Sequence, residues 1–383
     1  MATPSLAMIP SAIADSKVYS VLPNNGDGDF TFNRDSSATR IGQNGLIQTV
    51  GYFGNDIVLN GDFSNGSTNW ALNSNWSVAN NKATADGTSN SIMFQSNVLQ
   101  DNTLYLVSYT LSNFTQGSIN INLSGVSGVT RTTNGTYTEY LTSGASPSGR
   151  LDIQGSGSFI VSITNISVKE VTGDQPRLNY DISNGVVQSC PSLLLEPAST
   201  NLFTYSEDFS QSAWIKSAAV VTLTSQTAPD GTINSVYNLT GTNANLYTGG
   251  TTAVEYTISF YIKSNGQGKD TCKLRLGNSI SSQITATDQW IRHEFTATPT
   301  SSVFGLTVDS SPNNEWDILI WGAQVEALSY ATSYIPTSGQ SAGVTRAAET
   351  CFGAGTSSTF NSTEGVLYYE TSALSDDVGA TKI

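Results

Sequence analysis

The chain has 383 residues, of which 38% are hydrophobic and 12% charged, and 30 acidic against 16 basic side chains give a formal net charge of −14. That length supports two or three domains, each able to bury a core. With no dense Lys/Arg cluster, the acidic balance excludes bare nucleic acid as a partner and disfavours an anionic membrane surface.

The 6 Trp, 16 Tyr and 14 Phe argue against intrinsic disorder. The three cysteines, Cys190, Cys272 and Cys351, form no CxxC pair, so they read as buried or idle thiols and not as a zinc site or disulfide framework. No apolar run approaches the ~18 residues that would insert into a membrane. The opening "MATPSLAMIPSAIADSK" lacks a basic region and is broken by Pro4 and Pro10, so it does not read as a secretory signal. Abundant Ser, Thr, Asn and Gly nevertheless give an outward-facing composition. A phage virion component, made in a host cytoplasm and released by lysis, meets both conditions.

Residues 1–54 contain "GDFTFNRDSSATRIGQNGLIQTV", with a hairpin signal at Asn44-Gly45. This segment is expected to anchor the chain to a particle or to another subunit. Next comes "NGDFSNGSTNWALNSNW" (60–76), and its D-F-S phrase followed by tryptophan returns in "NLFTYSEDFSQSAWIKS" (201–217). Two copies of one module, 55–171 and 201–328, explain the echo. Within them, "LYLVSYTLSNF" (104–114) and "EYTISFYIKSN" (255–265) alternate apolar and polar residues with a period of two. Gly/Asn/Ser/Asp clusters separate such runs, as at 24–29, 80–90, 143–149 and 227–231. The copies close on "ITNISVKEV" (163–171) and "ILIWGAQVEAL" (318–328). The expected fold class is therefore all-β: two tandem jelly-roll β-sandwiches joined by extended arms and connectors, with Phe63 and Phe209 plugging the sandwich ends. Residues 172–200 read as a connector and 329–383 as a C-terminal arm. Ala-Thr-Arg (38–40) is echoed by Val-Thr-Arg (344–346).

The phrases "YSVLPNNGDGDFTFNRDSSATR" (19–40), "PSLLLEPASTNLFTYSEDFSQSAW" (191–214) and "WGAQVEALSYATSYIPTSGQSAGVTRAAE" (321–349) resemble tailed-phage fibre and virion-surface proteins. The sandwiches resemble the carbohydrate-binding jelly rolls found in them. "STEGVLYYE" (362–370) is similar to the first strand of a concanavalin-type lectin domain, truncated here. The resemblance implies a virion-surface location, host adhesion and a homotrimer with other virion proteins as partners. It also implies a calcium site near the strand ends, although Thr164 stands where such strands often carry Asp.

Asp62 and the Glu207-Asp208 pair have two readings. Asp62 and Asp208 could be ligands of a structural Ca²⁺, a hard cation wanting several oxygens. Otherwise they accept backbone N–H bonds in the turn before the first strand, the favoured reading. No other cofactor is expected. For host cell-surface glycans, exposed aromatics that stack on sugar C–H faces are the candidates: Trp70 and Trp76 with Tyr105 and Tyr109 in copy one, and Trp214, Trp290 and Trp316 in copy two. The competing reading places each tryptophan in a core, as alternation suggests for Trp321. The single histidine, His293, lacks a GxSxG elbow or a second histidine, so no triad is framed. Among Glu207, Asp208, Glu255, Glu294 and Asp317, no spacing singles out a glycosidase pair. The expectation is a non-enzymatic virion protein. A glycan depolymerase and a purely structural capsid decoration are the alternatives. Sequons such as Asn75 and Asn165 read as accidents of composition.

Overall fold

The computed structural model describes all residues except 1–4, 9–11, 15, 88–90, 184–185, 253, 308–314, 338–342, 358, 361–362, 364, 367, 369–370 and 372–383. The "STEGVLYYE" phrase lies largely outside the described residues. The fold is all-β, with no helix among the described residues. The chain divides into two compact units, Gly51–Gly173 and a second made of Met1–Val50 with Asp174–Ile383.

The first unit is a sandwich built on two very long strands, Leu104–Leu123 and Leu151–Gly173. Each runs along one sheet, bends, and continues in the other, as strands at sandwich corners do. The bends fall where non-extended backbone is tolerated: Asn113 and Gly117 in one strand, Gly157 and Asn165 in the other, all with positive φ. The sheet containing Leu151 pairs it with Ser91–Gln95 on one side and with residues 116–123 on the other. The facing sheet pairs residues 160–173 with Lys82–Asp86, Tyr52–Asp56 and residues 105–112, beyond which lies Gly135–Thr142. Alternate residues fill the space between, including Val107, Leu111, Ile121, Ile153, Val161 and Ile163, all fully buried.

The second unit repeats this pairing with the breaks moved. Ile215–Leu223 and Tyr237–Gly249 are continuous here, where the first unit has two short strands in each place. Conversely, the two long strands are divided, into Tyr256–Ser264 with Thr271–Leu276 and Val303–Thr307 with Glu315–Glu326. The central ladders correspond: Tyr237–Gly249 pairs Glu315–Glu326 and then Val303–Thr307, and Tyr256–Ser264 lies between Ile291–Ala297 and Glu315–Glu326. Details agree as well. A bulge interrupts the register between Ser108 and Thr110 and again between Ser259 and Tyr261, with left-handed Asn165 and Gly322 opposite. Asp56 Oδ1 accepts the amides of Val58 and Val168, as Asn201 Oδ1 accepts those of Phe203 and Val325.

Around this second sandwich the flanking segments form an added layer. Strand Glu315–Glu326 is buried on both faces: Ile318 and Ile320 point into the sandwich, while Leu319 and Trp321 join Ile47, Ala228, Val236 and Tyr334 in a separate cluster. Ile47 comes from the hairpin Ala38–Ile41/Ile47–Val50, whose turn at Asn44-Gly45 closes with Gly42 N donating to Leu46 O at 2.9 Å. The hairpin foretold by Asn-Gly is present, and it is tied to the second sandwich by Ile47 N donating to Pro229 O at 3.0 Å.

Candidate functional site

The D-F-S phrases occupy matching places. Asp62 Oδ1 accepts Ser64 N and Oγ at 3.1 and 3.0 Å, and Asp208 Oδ1 accepts Ser210 N at 3.0 Å together with its hydroxyl. Phe63 and Trp70 rings lie 5.5 Å apart, Phe209 and Trp214 5.1 Å. Each tryptophan Nε1 donates to a carbonyl just before the phrase, Trp70 to Asn60 at 3.1 Å and Trp214 to Tyr205 at 2.8 Å. Both phenylalanines are buried plugs, as expected.

The same geometry corrects the stacking candidates. Trp70, Trp76 and Trp214 are only 6%, 5% and 3% exposed, and Tyr105, Tyr109 and Trp316 are also buried. They cannot present a ring face to a sugar: Trp76, Tyr105, Tyr109 and Trp316 point inward from their strands, and Trp70 and Trp214, each just before a strand, pack inward on Phe63 and Phe209. Trp290 is half-buried, packs on the cluster holding Leu319 and Trp321, and donates Nε1 to Thr227 O at 3.0 Å.

Asp62 and Asp208 both make the turn hydrogen bonds of the favoured reading. Hydrogen bonds from Ser64 hold the Asp62 carboxyl below the usual carboxylate range. Asp208 also accepts Tyr237 Oη and Gln211 Nε2, both at 2.7 Å. Among the described residues no cluster of three His, Cys, Asp or Glu side chains could hold a metal. Of the remaining acids, Asp317 accepts Asn265 Nδ2 at 2.8 Å, and Glu207 accepts Tyr334 Oη at 2.8 Å. Burial, with Asp230 nearby, pushes Glu207 up to about 7 against the effect of the Tyr334 bond. Burial lowers His293, which lies half-buried on Ile291–Ala297.

The most densely built polar site was not foreseen. Arg34, Arg177 and Arg346 converge on Glu196 and Glu349, all buried. Arg177 Nη2 meets Glu196 Oε2 at 2.7 Å and Nε donates to Glu349 Oε1 at 2.7 Å, while Nη2 also contacts Glu349 Oε2. Arg34 Nη1 lies 3.0 Å from Glu349 Oε1, and Arg346 Nη1 pairs with Glu196 Oε2. Ser333 completes Glu196 through its amide and hydroxyl at 2.8 and 2.6 Å. Burial opposes charge on Arg177, yet Glu349 and Glu196 hold its pKa above the ordinary value. Burial likewise opposes ionisation of Glu196, but Arg177 and Arg346 keep its carboxyl below the usual range. Such mutually paired ions act as a clasp between segments remote in sequence.

The clasp underpins a cleft. Arg177 Nη1 donates to Thr39 O at 2.9 Å, Tyr180 N to Ile41 O at 3.1 Å, and Ile41 N to Asn179 Oδ1 at 2.9 Å. These bonds fix Arg177–Asn179 beside the hairpin. Between them opens a cleft of about 620 Å³ lined by Arg40, Gln43, Asn44, Gln48, Leu178 and Tyr180.

No protein-family model matches the sequence, and no curated protein matches it. Among solved structures, the chain is similar to the tandem CBM22 modules of Paenibacillus barcinonensis Xyn10C, with 10% identity over 73% of this chain and 98% of that one, at a TM-score of 0.23. It is also similar to the tandem CBM51 modules of a family 98 glycoside hydrolase from Streptococcus pneumoniae SP3-BS71, with 8% identity over 78% and 93% of the two chains, at a TM-score of 0.21. At those scores the likeness carries no argument about function.

Proposed function

We propose that this chain is a non-enzymatic structural subunit of a phage virion surface, a fibre, spike or decoration, that presents two jelly-roll modules for multivalent attachment to host glycans. The observation that supports this most is where the virion-like phrases go. Arg34 comes from 19–40, Glu196 from 191–214, and Ser333, Arg346 and Glu349 from 321–349, and all five meet in the one buried clasp. The wording that resembles virion-surface proteins is thus the wording that builds the second unit. Weak contacts per subunit gain avidity when several copies are displayed together, and a homotrimer is the assembly expected. The test is immunogold electron microscopy of intact particles from the source phage, with light scattering of the purified chain. Label on head or tail surfaces and a trimer mass support the reading; unlabelled particles contradict it.

A further inference from the structure

We propose that the strand Ile215–Leu223, at the free edge of the second sandwich, is a self-association surface that pairs antiparallel with the same strand of a second copy of this chain. Among the described residues this strand pairs with Tyr237–Gly249 and with no other. Its outer edge is therefore an open row of backbone donors and acceptors, a template for another chain. Protein edges are ordinarily blunted by short strands, charges or proline. The first sandwich follows that rule, its matching edge being split into Ala71–Leu72 and Trp76–Ala79. So does the opposite edge of the second, where Ile291–Ala297 carries Arg292, His293 and Glu294 in succession. Ile215–Leu223 does not. Its single charge, Lys216, is folded back, with Nζ donating to the carbonyls of Ser210, Gln211 and Trp214 at 2.9, 2.8 and 3.2 Å. Ile215, Val220 and Leu223 are left exposed along it.

The backbone selects the partner. Thr224 N donates to Val236 O at 2.9 Å, and Leu223 stands opposite Tyr237. Alternation from that bond turns the N–H and C=O groups of Val220 and Thr222 toward Tyr237–Gly249, and those of Ala219, Val221 and Leu223 outward. A two-fold axis at Val221 uses all three. Val221 then meets Val221 of the second copy and Ala219 meets its Leu223, each pair exchanging both hydrogen bonds. On the outer face the same register sets Val220 against Thr222 of the second copy. Every residue in these pairs is uncharged, so the run is complementary to itself. It is also a neutral strip by which two chains of net charge −14 can meet without bringing like charges together. A bulge at Ala218, with φ 54°, marks where the flat run begins. A ladder of about five residues a side is short of the roughly 20–30 residues a side of a standard interface, so the association is reversible and rises with concentration.

This contact doubles whatever assembly the chain otherwise forms, so it stands or falls apart from the trimer expected of a virion subunit. The experiment is sedimentation velocity of the full chain over a wide range of concentration, where the wild-type mass should double as concentration rises. Val220 and Thr222 are both exposed, so substitutions there leave the sandwich packing alone. Val220→Lys combined with Thr222→Lys sets like charges directly opposite one another in the paired strands. It should weaken the association about tenfold or more, with the melting temperature of the dilute chain unchanged. Val220→Lys combined with Thr222→Glu sets opposite charges in the same places and should restore the association. A wild-type mass that does not change with concentration overturns the proposal. So does association that survives the two lysines, or that the lysine–glutamate combination fails to restore.

Discussion

The two sandwiches share a pairing map and differ on one face. In the closing strand of the first, the outward positions are Ser162, Thr164, Ser167 and Lys169; in the second, the matching positions are Leu319, Trp321, Gln324 and Glu326. Ser162 is buried and Thr164, Ser167 and Lys169 are half-buried, whereas all four of the second set are buried. Gln324 Oε1 accepts Ile335 N at 2.7 Å, and Glu326 accepts Ser199 Oγ at 2.6 Å and Thr332 N at 2.9 Å. A single fold thus serves bare in one copy and as the base of a second layer in the other. Outward side chains on one strand, not the topology, mark the difference.

The largest expected effect separates the units. Arg177→Ala leaves Glu349 and Glu196 buried with a lost partner, a change that typically costs about 3–5 kcal/mol. Hydrogen exchange should show the loss in Met1–Val50 and Asp174–Ile383 and none in Gly51–Gly173. Equal loss in both units would break the comparison.

A smaller effect tests the match of the turns. Ile166 N donates to Gly61 O at 3.0 Å, as Ala323 N donates to Ser206 O at 2.8 Å, so Gly61 and Ser206 are equivalent and Glu207 is an added residue in the second copy. A Cβ on Gly61 would sit 2.0 Å from Ile166 O. Gly61→Ala should therefore destabilise the first sandwich by about 1–3 kcal/mol, the usual cost of overpacking. A neutral result would show that the turn relaxes freely.

A pH-dependent effect belongs to Glu207 itself. Its folded pKa, about 7, lies above the ordinary glutamate value, so the folded state binds the proton more tightly. Its contribution is fully present below about pH 4.3 and is lost as pH rises through 7. Glu207→Gln should melt higher than the parent above pH 7, the gap closing toward pH 4.5. A pH-independent gap would mean that Glu207 is solvated.

Much of this was legible in the sequence. Period-two runs and turn clusters marked the strands, and the D-F-S…Trp phrases marked the repeat, because both signals are local. Inward placement of Trp76 was not legible, since alternation defines two faces without naming the buried one, and that of Trp70 and Trp214 was not, because they sit in turns and are buried by ring contacts with Phe63 and Phe209. The unbroken apolar run "ILIW" (318–321) was the available sign of a strand covered on both sides. The clasp had no local signal: Arg34 and Glu349 meet from positions 315 residues apart. The echo of Ala-Thr-Arg and Val-Thr-Arg did include one arginine of the clasp, Arg346.

The most direct test is to express residues 51–173 and 201–328 separately and record their thermal unfolding by circular dichroism. Residues 51–173 should melt cooperatively at the temperature this unit shows in the full chain. Residues 201–328 should not, because Leu319, Trp321 and Glu326 lose the layer that buries them. Equal, full-chain-like melting of both fragments would contradict the account, since the arms would then be ornaments on a self-sufficient sandwich.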